Sequence, residues 1–223
     1  MSGPRRPRSP AVGWWPGRPK RCFDCVVAAI GLALLAPALA LIALAIRLAM
    51  GPPVIFRQER PGRHGRPFTL YKFRTMSEAR DPRGRTRPDH ARLTRLGRAL
   101  RRTSLDEVPE LVNVLKGDMS LVGPRPLLMR YLARYTPEQR RRHEVRPGIT
   151  GWAQLNGRDT LPWVDRFALD VWYVDHQSLR LDVRVLLSTI VKTLGQAGFR
   201  QPGEGPVGEF EGAGGRTGPG AAR

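Results

Sequence analysis

Two cysteines in 223 residues, Cys22 and Cys25, exclude a disulfide-built secreted scaffold. Lysine is scarce too: 4 of the 38 cationic side chains are Lys, so arginine carries the charge. The four histidines (His64, His90, His143, His176) make no metal-ligand spacing, and the single Cys-x-x-Cys has no second ligand pair. The two cysteines therefore read as small structural thiols. No Walker loop, dinucleotide fingerprint or Gly-x-Ser-x-Gly elbow occurs, and no zinc-finger or RNP-type aromatic motif. Acidic residues are thin in the first half. Residues 1–105 hold 22 basic and 5 acidic side chains, whereas residues 106–223 hold 16 and 14. Most of the +19 net charge thus sits beside the one long apolar run, which argues against a repeat protein, a disordered chain or a purely soluble enzyme.

That run extends from Cys25 to Ile46, 22 residues without a formal charge. As a helix it would be about 33 Å long, enough for a hydrocarbon core of about 30 Å. It is too long for a signal peptide and is followed by no small-residue cleavage site. Pro37 lies near its middle and would kink a helix there. Both flanks are basic, with Lys20 and Arg21 before and Arg47, Arg57, Arg60, Arg63 and Arg66 after, so the positive-inside rule gives no direction. A spanning helix, a helix that bends at Pro37 and returns to the same face, and a buried soluble helix all remain open from these residues. Diffuse basicity beside such a helix fits anionic lipid better than nucleic acid, which is not expected as a partner.

The rest divides by composition. Residues 1–19 form a basic, Pro-rich tail expected to be disordered, with Trp14 and Trp15 suited to a membrane interface; residues 198–223, rich in Gly and Pro, are expected to be disordered as well. Residues 20–50 are the membrane segment and 51–197 one compact domain. Residues 54–56 and 68–71 predict a β-hairpin around Pro61-Gly62-Arg63-His64-Gly65. Leu93, Leu96 and Leu100 predict a basic amphipathic helix over 91–102, suited to an anionic surface despite Gly97. Further helices are predicted over 105–116, 127–135, 137–144, 165–176 and 181–196, with a long loop over 145–161. The fold class is α+β, mostly helical.

Three places could carry chemistry. Ser104 with Glu107 three residues on is a capping-box pattern, in which Asp106 would merely complement a helix dipole. Alternatively, Asp106 is a carboxylate kept ionised in a first helical turn near arginines, a nucleophile toward phosphorus, with Glu107 orienting a proton or holding a metal. Arg125 stands between Pro124 and Pro126, whose stiff backbone suits bidentate phosphate binding, or it is a solvated turn residue. Lys72 is a cation among apolar neighbours, binding an anion or snorkelling.

Several blocks, taken in order, carry a resemblance: Lys20-Arg21-Cys22-Phe23-Asp24, Phe56-Arg57-Gln58-Glu59-Arg60-Pro61-Gly62, Tyr71-Lys72-Phe73-Arg74-Thr75-Met76 and Ser104-Leu105-Asp106-Glu107. They continue through residues 113–120, Val122-Gly123-Pro124-Arg125-Pro126 and residues 145–154. Over residues 20–197 the chain resembles the bacterial sugar transferases. Within them it looks like the small monotopic phosphoglycosyl transferases, most closely the form that loads a phosphosugar in glycoprotein-glycan assembly. The resemblance implies a re-entrant helix kinked at Pro37 with both ends on the cytoplasmic face of the bacterial inner membrane. It also implies a catalytic Asp106–Glu107 dyad that binds Mg2+, with Lys72, Arg101 and Arg125 around the substrate phosphates. The implied reaction moves a sugar-1-phosphate from a UDP-sugar to a polyprenyl phosphate through an aspartyl adduct, with release of UMP. This sequence leaves no room for the extra N-terminal membrane helices of larger forms. A non-catalytic membrane scaffold and a membrane-tethered nucleic-acid binder are the competing classes. The sugar, the pathway and the oligomeric state are not legible.

Overall fold

The computed structural model describes residues 15–78, 81, 83–85, 87–157, 161–195 and 209–212. Expectations for residues 1–14, 158–160, 198–208 and 213–223 lie outside the described residues. The protein is mostly helical, with two two-stranded sheets and one long apolar N-terminal helix.

The hairpin forms as the turn residues predict. Strand β1 (Ile55–Pro61) pairs antiparallel with β2 (Pro67–Phe73), Ile55 opposite Phe73 and Pro61 opposite Pro67. Alternation along β2 sends Phe68, Leu70 and Lys72 to one face. The first two enter the main core with Val114, Met119, Leu121, Val122, Tyr173 and Val185. Each such buried side chain stabilises the fold by about 1.5–3 kcal/mol. Lys72 is carried by the same alternation to the rim of that core, where the catalytic candidates lie.

Between the hairpin and residue 145 the helices are shorter and more broken than the periodicity predicts, whereas those predicted over 165–176 and 181–196 form nearly as expected. The expected helix over 91–102 is two: α2 (Asp89–Arg92) and α3 (Arg95–Thr103). Thr94 separates them because its hydroxyl accepts the Gly97 N–H at 2.9 Å, an N-cap that restarts the helix. Gly97 is there for contact: a Cβ on it would lie 1.9 Å from the Thr75 carbonyl oxygen. Leu96 and Leu100 of α3 face inward against Phe73 and Ile46. The helix predicted over 105–116 is a single 3-10 turn, Leu105–Glu107, followed by α4 (Glu110–Lys116), which Gly117 ends at φ 90°. Residues 129–134 form a 3-10 helix; α5 (Pro137–Arg140) runs into another at Arg141–His143.

The segment 145–161 is only partly a loop. It holds β4 (Gly148–Thr150), parallel to β3 (Ser120–Val122), and then α6 (Trp152–Leu155). These backbones meet closely, since a Cβ on Gly148 would lie 2.1 Å from the Gly123 nitrogen. Helices α7 (Trp163–Asp175) and α8 (Leu179–Gly195) close the body.

Helix α1 (Arg18–Met50) contains Pro37 and is long and apolar enough to cross a membrane. Both of its ends are tied to the same body. Near the start, Lys20 Nζ meets Asp182 at 2.5 Å, and Asp24 accepts from Ser120 Oγ at 2.8 Å and the Leu121 N–H at 3.3 Å. Arg21 donates to the Val114 and Leu115 carbonyls at the C-terminus of α4. Near the end, Ile46 is fully buried with Phe73 and Leu100, and Leu39, Ile42 and Ala43 pack around them. Arg74 donates to the Met50, Gly51 and Pro52 carbonyls that follow the last turn. Between the ends, residues 33–38 are all exposed, and Leu34, Leu41 and Leu48 form an outward stripe at 76%, 68% and 78% exposure. An apolar helix left bare by its own protein associates with membrane.

Two residues expected in the tails belong to the body. Trp15 is buried against Phe23, and its indole N–H donates to Asp182 at 2.9 Å rather than reaching a membrane interface. Phe210 is buried in an aromatic cluster with Tyr131, Tyr135 and Phe167.

Candidate active site

The 3-10 turn Leu105–Glu107 exists because α3 stops abruptly. Ser104 takes a left-handed conformation (φ 57°) as the C-cap of α3, donating its backbone N–H back to Arg101 and Leu100. Its side chain caps nothing at the following turn, so the capping-box reading of Ser104 and Glu107 fails. The reversal instead presents Asp106 and Glu107 side by side to a cleft of about 1270 Å³. Lys72, Arg101 and Arg125 line the same cleft, so all five sequence-selected polar residues share one cavity. Pro37 lies elsewhere, within α1.

Glu107 is clamped. Its Oε1 takes Lys72 Nζ at 2.8 Å and Arg125 Nη2 at 2.6 Å, while Oε2 has Arg125 Nη1 at 3.5 Å. Burial alone would raise its pKa, but the Arg125 and Lys72 charges and their hydrogen bonds outweigh that and hold it well below the usual carboxylate range. Lys72 does not snorkel: it also lies 3.0 Å from Oε1 of the buried Glu110. Arg125 spends its fork on Glu107 with 40% of its side chain still exposed.

Asp106 is buried, and among the described residues no hydrogen bond or ion pair engages its carboxylate. Burial and the Glu107 charge raise its pKa, opposed by Lys72, Arg101 and Arg125. The expected effect of a first-turn dipole is therefore reversed, since one 3-10 turn supplies little dipole and desolvation prevails. Arg101, whose charge acts on this carboxylate, is fixed through its Nε, which donates to Thr75 Oγ1 at 3.0 Å.

The supporting residues were harder to find in the sequence. Glu110, pushed up to about 7 chiefly by burial and by Glu107 against the pull of Lys72, shares Lys72 with Glu107. Its one signal is its position three residues after Glu107. Arg142 is buried and donates to Asp170 at 2.7 Å and to the Arg125 carbonyl at 2.8 Å, fixing the stretch that carries Arg125. Asn113 joins α4 to the edge of β2, accepting the Tyr71 N–H at 3.1 Å and donating to the Thr69 carbonyl at 2.7 Å. That bond holds the turn bearing Asp106 and Glu107 in register with Lys72.

A magnesium ion fits the donors present. It prefers hard oxygens and is commonly held by one or two carboxylates, with substrate phosphates and water completing its shell. Asp106 offers an unengaged carboxylate and Glu107 offers Oε2. Among the described residues no group of three or more His, Cys, Asp or Glu forms a self-sufficient metal cage.

The chain is similar in sequence to known proteins. The profile of the family described as bacterial sugar transferase matches residues 15–196. An uncharacterized sugar transferase EpsL of Bacillus subtilis (strain 168) is 54% identical over 196 residues, covering 87% of this chain and 96% of that protein. A UDP-glucose:undecaprenyl-phosphate glucose-1-phosphate transferase of Escherichia coli (strain K12) is 42% identical over 183 residues, 78% of this chain. A UDP-N-acetylgalactosamine-undecaprenyl-phosphate N-acetylgalactosaminephosphotransferase of Aeromonas hydrophila is 37% identical over 192 residues, 81% of this chain. The matches span 39% and 45% of the lengths of those last two proteins.

Proposed function

The chain belongs to the bacterial sugar transferase family, a family of phosphoglycosyl transferases, and from that premise we propose that it moves a sugar-1-phosphate from a UDP-sugar to a polyprenyl phosphate such as undecaprenyl phosphate. The observation that carries this reading is Asp106: a buried carboxylate, unengaged among the described residues, beside a Glu107 already neutralised by Lys72 and Arg125, in an arginine-lined cleft. Ligand pockets commonly run about 300–1,000 Å³. A cleft of about 1270 Å³ has room for a nucleotide-sugar and a lipid headgroup together.

In the first step an Asp106 carboxylate oxygen bonds to the β-phosphorus of the donor. The bond from that phosphorus to the oxygen bridging the α-phosphate breaks, and UMP leaves with the electron pair. In the second step a phosphate oxygen of the lipid attacks the same phosphorus, breaking the aspartyl bond and freeing Asp106. Two like unit charges 4 Å apart near a protein surface repel by about 4 kcal/mol, so a carboxylate approaching a diphosphate needs cations around it. Arg101 and Arg125 face the phosphoryl oxygens, and Lys72 holds Glu107 beside them. Magnesium, when bound, would supply further neutralisation of the diphosphate, held by Asp106 and Glu107.

A re-entrant α1 with both ends on the cytoplasmic face of the inner membrane suits this task, because it keeps the cleft at headgroup depth. Its support is the packing of both ends of α1 on one body, with Ala28 in the main core and Ile46 beside Phe73 and Leu100, and with Pro37 in the exposed stretch between them.

Incubation with a panel of UDP-sugars, polyprenyl phosphate and magnesium should release UMP with at least one donor. No UMP from any donor would favour a membrane scaffold instead.

A further inference from the structure

The C-terminal region has the composition of a tail, yet Glu209 and Phe210 are placed as ligands are placed. In residues 201–223, Phe210 is the sole aromatic residue. Its ring is 4% exposed and lies 5.0 Å from Phe167, 5.6 Å from Tyr131, and 5.7 Å from both Tyr135 and Trp163, centroid to centroid. The contacts to Phe167 and Tyr131 are edge-to-face at 77°, the favoured arrangement of aromatic quadrupoles. Beside the ring, the Glu209 carboxylate meets Arg130 Nε at 2.8 Å and Arg134 Nη1 at 3.2 Å, and Arg134 also donates to the Phe210 carbonyl. An aromatic slot with two arginines at its mouth is a receptor for an acidic residue followed by a Phe.

The slot is also the far side of the catalytic cleft. Trp163 and Phe167 touch Phe210 and line the cleft as well. The Arg142 guanidinium lies 5.4 Å from the Phe167 ring and donates to the Arg125 carbonyl. Packing is therefore continuous from Phe210 through Phe167 and Arg142 to the residue that clamps Glu107.

We propose that residues 209–212 are a tethered clamp: Glu209-Phe210 occupies an aromatic–arginine slot behind the cleft and sets the wall formed by Trp163 and Phe167, and hence donor affinity. Phe210 acts through those rings and is a positioning residue. The kinetic half rests on the transfer reaction proposed above; the docking half does not.

A fluorescent synthetic peptide covering residues 205–215, titrated against purified chains in detergent and read by anisotropy, tests the docking. A tether supplies an effective concentration of about millimolar order, so binding in trans should be weak. The peptide is expected to bind a chain ending at residue 207 and a full-length Phe210→Ala variant. It should bind intact protein much less, and a peptide with Phe210→Ala should bind none of them. No binding to either variant, or equal binding to variant and intact protein, overturns the clamp. The full-length variant keeps the test decisive if the shortened chain does not fold. In turnover, Phe210→Ala should raise KM for the donor about tenfold with kcat little changed, and Phe210→Tyr should restore it. A lowered melting temperature with unchanged KM would make Phe210 merely structural and overturn the wall. If no donor gives turnover in any chain, the transfer reading has failed and the peptide titration still decides the docking.

Discussion

Glu107 takes two cations on one oxygen, whereas Asp106 beside it takes none among the described residues. That asymmetry divides the dyad into a held residue and an available one. Neither propensity nor spacing distinguishes them in the sequence, where Ser104 and Glu107 read equally well as a helix cap. Lys72 and Arg125 could be picked out as cations in apolar or stiff surroundings, and Asp106 and Glu107 as adjacent carboxylates after an arginine-rich stretch, whereas Arg101 came only from the resemblance. Glu110 could not, because its role depends on which way the chain turns at Ser104. Its raised pKa has a measurable consequence. Between the ordinary glutamate value of 4.5 and about 7, the folded protein keeps a proton that the unfolded chain releases. Its contribution to stability is thus fullest below that window and lost as pH rises through it. We expect Glu110→Gln to flatten the fall in melting temperature between about pH 4.5 and about pH 7. An unchanged slope would place the titrating group elsewhere.

Among the elements, the hairpin and the two long C-terminal helices were legible because turn residues and apolar spacing are local signals. The parallel pair β3–β4 was not. Three-residue strands carry little periodicity, and their pairing depends on the Gly123–Gly148 approach, which is long-range. The break between α2 and α3 came from one hydroxyl, Thr94, and Gly97 made sense only once Thr75 was seen against it. For α1 the apolar length was plain, but its direction depends on what its ends touch. Both arms pack on the same body, so a re-entrant α1 should leave Arg18 and Arg57, both exposed, on one side of the membrane. Membrane-impermeant thiol labelling of Arg18→Cys and Arg57→Cys, with Cys22 and Cys25 replaced by Ser, should modify both from the cytoplasmic side only. Modification from opposite sides would mean a spanning helix.

For the whole molecule, the +19 charge has more uses than lipid and substrate. Arg21 and Arg74 satisfy carbonyls at the ends of α4 and α1, where the last turn leaves acceptors unpaired. Arg142 is buried on Asp170, and Arg146 donates to the Gly117 carbonyl at 2.9 Å. Part of the arginine excess is therefore structural, joining the membrane helix to the catalytic body. On the transfer reading proposed above, the same ties would align the cleft with a lipid phosphate at headgroup depth, and the chemistry there would turn on Asp106. The most direct measurement is to incubate the protein with a UDP-sugar carrying β-32P, without lipid acceptor, and to count label on the denatured chain. Label bound to Asp106 is expected in the native protein, with its discharge on adding polyprenyl phosphate, and no bound label in Asp106→Asn. Transfer of label to lipid by Asp106→Asn at the native rate, with no labelled protein, would rule out Asp106 as the nucleophile.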